Sequence, residues 1–276
     1  MNFTRLTIRK LTPSIGAEIG DVNLSSAISE SLLADIRQAL LDNLVIFFRN
    51  QRLTPEQHKA LGRSFGKLHL HPAPLGTLEG HPEIVLIKSD KDSKRIAGDS
   101  WHSDVSCDAE PPMGSMLYMT EVPVAGGDTL FADMYAAFDA LSDSMQRFLA
   151  GLTAIHDGAR NYAGRQPDAA RGAEFPFAEH PVVRTHPDTG RKALFVNRMF
   201  TTRIAQLKPR EGDALLEMLF RHIENPDFQC RFRWTPNTLA FWDNRCTQHL
   251  ALWDYYPQHR YGHRVTIAGD RPFYRP

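Results

Sequence analysis

Cys230-Arg-Phe-Arg-Trp-Thr-Pro-Asn-Thr-Leu-Ala-Phe-Trp-Asp-Asn-Arg-Cys-Thr-Gln-His249 is the stretch whose reading decides the fold. Cys230, Phe232 and Trp234 alternate with Arg231 and Arg233, so an extended chain here has one apolar and one charged side. Thr235-Pro-Asn237 then turns the chain into Thr238-Leu-Ala-Phe-Trp242, a second strand. His263-Arg-Val-Thr-Ile-Ala268 reads as the final strand.

Working outward, further strands are expected at Leu44–Arg49, Ile84–Lys88, Met116–Thr120 and Thr129–Ala132. Pro181–Thr185 and Lys192–Val196 flank His186-Pro-Asp-Thr-Gly190, which signals a hairpin. Helical spacing of leucine and isoleucine marks Ser29–Asp42, and Pro209–Ile223 carries Ala214, Leu215, Met218, Leu219 and Ile223 on one face. A helix is also expected over Asp133–Leu149. Thr54-Pro-Glu-Gln57 has the form of a capping box with proline at the first helical position, opening a helix that runs to about Phe65 and stops at Gly66. Many short strands with a few helices predict a mainly β fold: a double-stranded β-helix (jelly roll, cupin-like) core with helical insertions. No repeat or linker divides the chain, so a single domain over residues 1–276 is expected.

The chain is 42% hydrophobic and 23% charged, with 32 basic and 32 acidic side chains and a formal charge of zero. That balance removes the electrostatic case for nucleic acid or an acidic membrane surface. No run approaches the roughly 18 apolar residues of a membrane span, and the first residues form no secretory signal. Cys107, Cys230 and Cys246 are too scattered for a disulfide framework and fit packing roles in a reducing cytoplasm.

Chemistry enters with His102-Ser103-Asp104 and His249. Two imidazoles and a carboxylate can hold one face of a metal and leave the other open, the pattern of non-haem Fe(II) oxygen chemistry. Strand ends are expected to carry both halves. Taken singly, each of these residues reads more simply as a turn or packing residue. Arg260 and Arg264 follow His249 after a turn through Tyr255-Tyr-Pro-Gln258, which brings a guanidinium back beside the metal-bearing strand, suited to bidentate pairing with a carboxylate. Ala125-Gly-Gly-Asp-Thr129 adds a tight turn and a hydroxyl donor at the start of a strand.

Together these elements, with Ile15-Gly-Ala-Glu-Ile19, Phe65-Gly-Lys-Leu-His-Leu-His-Pro72, Trp101-His-Ser-Asp-Val105, His180-Pro-Val-Val-Arg-Thr-His-Pro187, Phe195-Val-Asn197, Phe200-Thr-Thr-Arg203, Trp242-Asp-Asn-Arg245 and Gly269-Asp-Arg-Pro-Phe-Tyr274, resemble the taurine dioxygenase (TauD/TfdA) family. The resemblance covers essentially the whole chain. It implies an Fe(II)- and 2-oxoglutarate-dependent dioxygenase, with His102, Asp104 and His249 as iron ligands. Arg260 and Thr129 would hold the distal carboxylate of 2-oxoglutarate, leaving one metal position for O2. Oxidative decarboxylation to succinate and CO2 would then drive hydroxylation of an unactivated C–H bond. His71, Arg264 and the backbone of Val105 match positions that hold the substrate sulfonate in the taurine enzymes. Relatives of this kind also imply a homo-oligomer, dimer or tetramer.

Three positions depart from the taurine pattern. Pro74 replaces an aromatic, Gly98 an asparagine and Gly158 a phenylalanine, while Phe200 remains. Smaller side chains predict a roomier site for a small anion longer than taurine: a sulfonate, a sulfate ester or an aryloxyalkanoate, hydroxylated next to its heteroatom and split into aldehyde and released anion. The alternatives are a strict taurine dioxygenase, a zinc hydrolase using the same three ligands, and a non-catalytic jelly-roll binding protein.

Overall fold

The computed structural model describes residues 6–72, 76–163 and 174–276. An antiparallel pair, β1 (Thr7–Lys10) and β2 (Ala17–Gly20), precedes α1 (Glu30–Asn43). Ser29 starts that helix by accepting from the Leu32 N–H, and it stops at Leu44, whose φ of 66° cannot continue a right-handed turn. β3 (Val45–Phe48) follows directly. α2 (Pro55–Arg63) opens with the expected capping box: Thr54 Oγ1 accepts from Gln57 N at 3.2 Å, and Gln57 Oε1 accepts from Thr54 N at 2.8 Å.

β4 (Thr77–Leu78), β5 (His81–Ser89), β6 (Gly114–Glu121) and β7 (Thr129–Asp133) come next. The single helix expected over Asp133–Leu149 is two: α3 (Met134–Asp139) and α4 (Asp143–Ala150). Local hydrogen bonding makes the break. Asp133 caps α3 through the Tyr135 and Ala136 amides, and Ser142 starts afresh by accepting from Met145 N. The bend lets Phe138 and Leu149 enter the same core.

The remainder contains β8 (Thr153–Asp157), α5 (Ala159–Tyr162), β9 (Phe177–Pro181), the hairpin β10 (Val183–Thr185) and β11 (Lys192–Leu194), β12 (Thr201–Ile204) and α6 (Pro209–Ile223). It closes with β13 (Gln229–Phe232), β14 (Thr238–Asp243), β15 (Thr247–Ala251) and β16 (Arg260–Ile267).

Eight strands form one sheet in the order β1-β2-β3-β14-β6-β16-β5-β4, and β13-β7-β15 form a smaller one. The large sheet is apolar on both faces because both are covered, which is why its central strands read as unbroken hydrophobic runs. Ile46, Phe48, Met116, Tyr118, Leu239 and Phe241 pack with Ile36, Leu40 and Leu61 of α1 and α2. The alternate residues Val45, Phe47, Leu117, Met119, Ala240 and Trp242 join a second core with Phe131 and Phe232 of the small sheet. Phe47 stacks on Phe232 with ring centroids 3.6 Å apart, so the two sheets meet face to face. The fold is mainly β with helices, and the functional residues sit between these sheets.

Candidate metal and cosubstrate site

His249 is the middle residue of β15, opposite Phe131 of β7, with its ring 4.7 Å from that of Trp242 on the large sheet. The segment carrying His102 docks against it through paired backbone bonds, His102 N to His249 O at 3.1 Å and His249 N to His102 O at 2.8 Å. His249 therefore occupies a strand centre rather than the strand end expected, and His102 is held by a lone bridge. Asp104 is fixed by Asn244, whose Oδ1 accepts from its amide at 3.2 Å, and by Ser115, whose hydroxyl donates to Asp104 Oδ2 at 2.7 Å.

His102 Nε2 and His249 Nε2 lie 3.6 and 3.9 Å from Asp104 Oδ1, and all three side chains are buried. These separations fall below the roughly 4.2 Å that two metal–ligand bonds of about 2.1 Å can span. The donors are in the right form to bind a cation. His102 Nδ1 faces the Ser100 carbonyl at 2.8 Å, which only accepts, so Nδ1 carries the proton and Nε2 keeps its lone pair for the triad. Burial, reinforced by His102, pushes the His249 pKa well below the ordinary imidazole value, leaving it neutral. Burial alone would raise the Asp104 pKa, but the groups facing it, the Arg264 charge first, more than offset it and hold the carboxyl well below the usual range.

An inner cavity adjoins the triad, lined by Leu117, Phe131, Trp242, Thr129 and Arg260. Arg260 is 4% exposed, and its Nε and Nη2 have no hydrogen-bond partner. Burial pulls its pKa down from the ordinary guanidinium value, but it stays charged at any ordinary pH. A buried cation with two idle donors is costly unless an anion completes it. Thr129 is primed in the same sense: its oxygen accepts from the Trp234 indole at 2.9 Å, so its own hydrogen is free to be donated.

An outer cavity shares Gly98, His102 and Arg264 with the inner one and adds His71, Val105, Tyr162 and Phe200. Phe200 stands 6.4 Å from the His102 ring, and His71 lies edge-on to Tyr162 at 5.7 Å. Arg264 donates to Asp104 Oδ1 at 2.6 Å. Gly98 has φ of 82°, and a Cβ there would come within 3.2 Å of the His102 ring, so the glycine keeps backbone close to the triad. Gly158 behaves differently. A Cβ on it would meet Pro176 O at 2.8 Å and Tyr162 at 3.1 Å, so this position opens no space, contrary to the sequence expectation. Pro74 lies outside the described residues.

The reading of the sequence missed Trp234, Asn161, Tyr162 and Met199. The inward phase of Trp234 on the alternating stretch was its available signal. The other three line the outer cavity from α5 and the turn before β12, and no local pattern marks them. His69 bonds Asp108 at 2.9 Å.

A three-donor facial set beside a cavity lined by an arginine and a hydroxyl is the arrangement of the 2-oxoglutarate-dependent dioxygenases as a class. Residues 7–266 match the family described as "Taurine catabolism dioxygenase TauD, TfdA family", and the chain belongs to it. An "Alpha-ketoglutarate-dependent sulfonate dioxygenase" of Saccharomyces cerevisiae is 35% identical, covering 98% of this chain and 69% of that protein. An "Alkylsulfatase" of Acinetobacter baylyi is 33% identical, covering 96% and 86%. Among solved structures, a "Putative Alpha-ketoglutarate-dependent Taurine Dioxygenase" from Burkholderia xenovorans superimposes with a TM-score of 0.85 at 38% identity, covering 97% of this chain and 94% of that one. The chain is a 2-oxoglutarate-dependent dioxygenase. No helix among the described residues is long and apolar enough to cross a membrane.

Proposed function

We propose that the chain is an Fe(II) enzyme that hydroxylates a small organic sulfonate or sulfate ester at the carbon next to the heteroatom. In this reading the two facing sheets are the halves of a double-stranded β-helix, residues 1–276 act as one catalytic domain, and the protein works in the cytoplasm as a homo-oligomer. One observation carries the proposal: the buried His102–Asp104–His249 set adjoins a cavity also lined by Arg260, a buried cation with two unpaired donors.

Arg260 and Thr129 grip the distal carboxylate of 2-oxoglutarate, so the oxo-acid end of a dicarboxylate of that length faces the triad. Fe(II) on His102, Asp104 and His249 supplies oxygen activation, through which 2-oxoglutarate, O2 and a C–H bond give succinate, CO2 and a C–OH bond. His71, Arg264 and the backbone of Val105 hold the substrate anion across the triad from the inner cavity. Phe200 and Tyr162 form an apolar wall against the carbon chain and exclude water. Hydroxylation beside sulfur or the ester oxygen leaves a product that collapses to an aldehyde and the released anion.

The relatives' reported activities on sulfonates and alkyl sulfates support an anion of this kind. A zinc hydrolase has no use for Thr129 and Arg260, and the intact His102, Asp104 and His249 set argues against a non-catalytic binding protein. Alkyl sulfates, alkyl- and arylsulfonates, aryloxyalkanoates and taurine, scored by substrate-dependent succinate release, test the proposal. A sulfate ester or larger sulfonate is expected to outperform taurine. Taurine turning over best by a wide margin sinks it.

A further inference from the structure

Arg264 is the one side chain above that touches the metal-ligand set and also lines both cavities. Its Nη1 sits 2.6 Å from Asp104 Oδ1, the same oxygen towards which both imidazole Nε2 atoms are turned. The other carboxylate oxygen, Oδ2, is taken by Ser115. Oδ1 is the oxygen that faces both imidazoles, and Arg264 already draws on it. The guanidinium is nearly buried, and its Nε has no partner. Its idle Nε can take a second anion, which then shares the one guanidinium charge with Asp104.

From this geometry we infer that Arg264 is a positioning residue that couples metal affinity to the substrate anion through Asp104. This inference rests on the reading of Arg264 as an anion-holding residue. With no anion present, Arg264 competes with the metal for Asp104 Oδ1 and adds a positive charge beside it. An oxyanion in the outer cavity turns the guanidinium towards itself, returns electron density on Oδ1 to the metal, and offsets the extra charge. Linkage makes the effect reciprocal: whatever factor the anion adds to metal affinity, the metal adds to anion affinity. The chain would then hold its metal most tightly when substrate is in place.

The test uses Mn(II) and inorganic sulfate, with neither 2-oxoglutarate nor turnover, so failure of the dioxygenase reading would leave it intact. Free Mn(II) is counted by electron paramagnetic resonance during titration of the parent protein and of R264Q, each with and without sulfate. The parent is expected to bind Mn(II) about fivefold more tightly in sulfate, within the usual range of coupling between sites. R264Q is expected to bind Mn(II) several-fold more tightly than the parent without sulfate, and to show no sulfate effect. A residue that merely supported the fold would weaken metal binding when removed, the opposite sign. R264K keeps the charge but not the fork. It is expected at the parent's basal Mn(II) affinity with a reduced sulfate effect, and it carries the test if R264Q does not fold. Mn(II) binding in R264Q no tighter than in the parent, or an equal sulfate response in parent and variants, overturns the inference. The second result would place sulfate directly on the metal.

Discussion

His102, Asp104 and His249 on one side, and His186, Asp243 and Cys246 on the other, each bring three metal-ligating atoms within 4.8 Å of one another, all buried. Their side-chain chemistry is nearly the same, and both aspartates accept from an arginine, yet their hydrogen bonding differs at the histidines. Asp243 accepts from Arg245 through both oxygens, at 2.9 and 2.6 Å. His186 Nδ1 accepts from the Asp188 and Thr189 amides, which leaves Nε2 as the protonated donor to Asp243 at 3.0 Å. Burial holds the Cys246 thiol well above its ordinary pKa, and a neutral thiol is a poor metal ligand. In the second cluster the lone pairs are spent on protein. In the first, two bare Nε2 atoms and a carboxylate oxygen converge beside a cavity. Residue type proposes a metal site, and the surrounding bonds decide it.

Breaking the first cluster is expected to have the largest effect. H249A or D104A should lower metal affinity by more than the roughly 10- to 100-fold typical of outer-shell partners and abolish turnover, whereas C246A should still bind one metal per chain. Metal analysis after dialysis against Mn(II) reads this directly, and loss of metal from C246A would erase the distinction. Next comes the clamp. R260A removes a buried charge–carboxylate pair worth about 2–5 kcal/mol, so the KM for 2-oxoglutarate should rise by about 30-fold or more, with the metal count unchanged.

The second cluster should answer in stability instead. D243N leaves the buried Arg245 paired only with the half-exposed Asp188 and is expected to cost about 3 kcal/mol, seen as a lowered Tm, with the Mn(II) stoichiometry still one. The smallest effect comes from histidines in neither cluster. Burial lowers the pKa of His58 to about 3 and that of His180 to about 4, against 6.5 for a free imidazole. The unfolded chain gains protons at these sites below pH 6.5 while the folded chain does not. Their stabilisation is complete above that pH and falls away towards pH 4, by about 1 kcal/mol per histidine per pH unit. Chemical denaturation at pH 7.0 and 5.5 checks the sign, and greater stability at the lower pH would contradict it.

Much of this architecture was legible because it is local. The Thr54 capping box, the alternation of Cys230, Phe232 and Trp234, and the Gly126-Gly127 turn into β7 depend on neighbours a few residues away. His102, Asp104, His249 and Arg260 stood out as candidates for a related reason: each stands in a short motif on a strand or docked against one. What escaped is set by contacts distant in sequence. The break between α3 and α4 follows from Ser142 competing for the helix backbone, and it is visible only with the core that rewards the bend. Gly158 suggested an enlarged pocket, but Tyr162 and the Pro176 carbonyl fill the place its missing side chain leaves. The outer cavity is built by short elements and turns, so substrate preference was the part least readable from the chain alone.

An anaerobic titration of the protein with Fe(II) and 2-oxoglutarate tests the central claim most directly. The account predicts a weak visible metal-to-ligand charge-transfer band that saturates at one Fe(II) per chain, persists in C246A and is lost in H249A. No band from intact protein at saturating Fe(II) and 2-oxoglutarate, or an undiminished band in H249A, would contradict it.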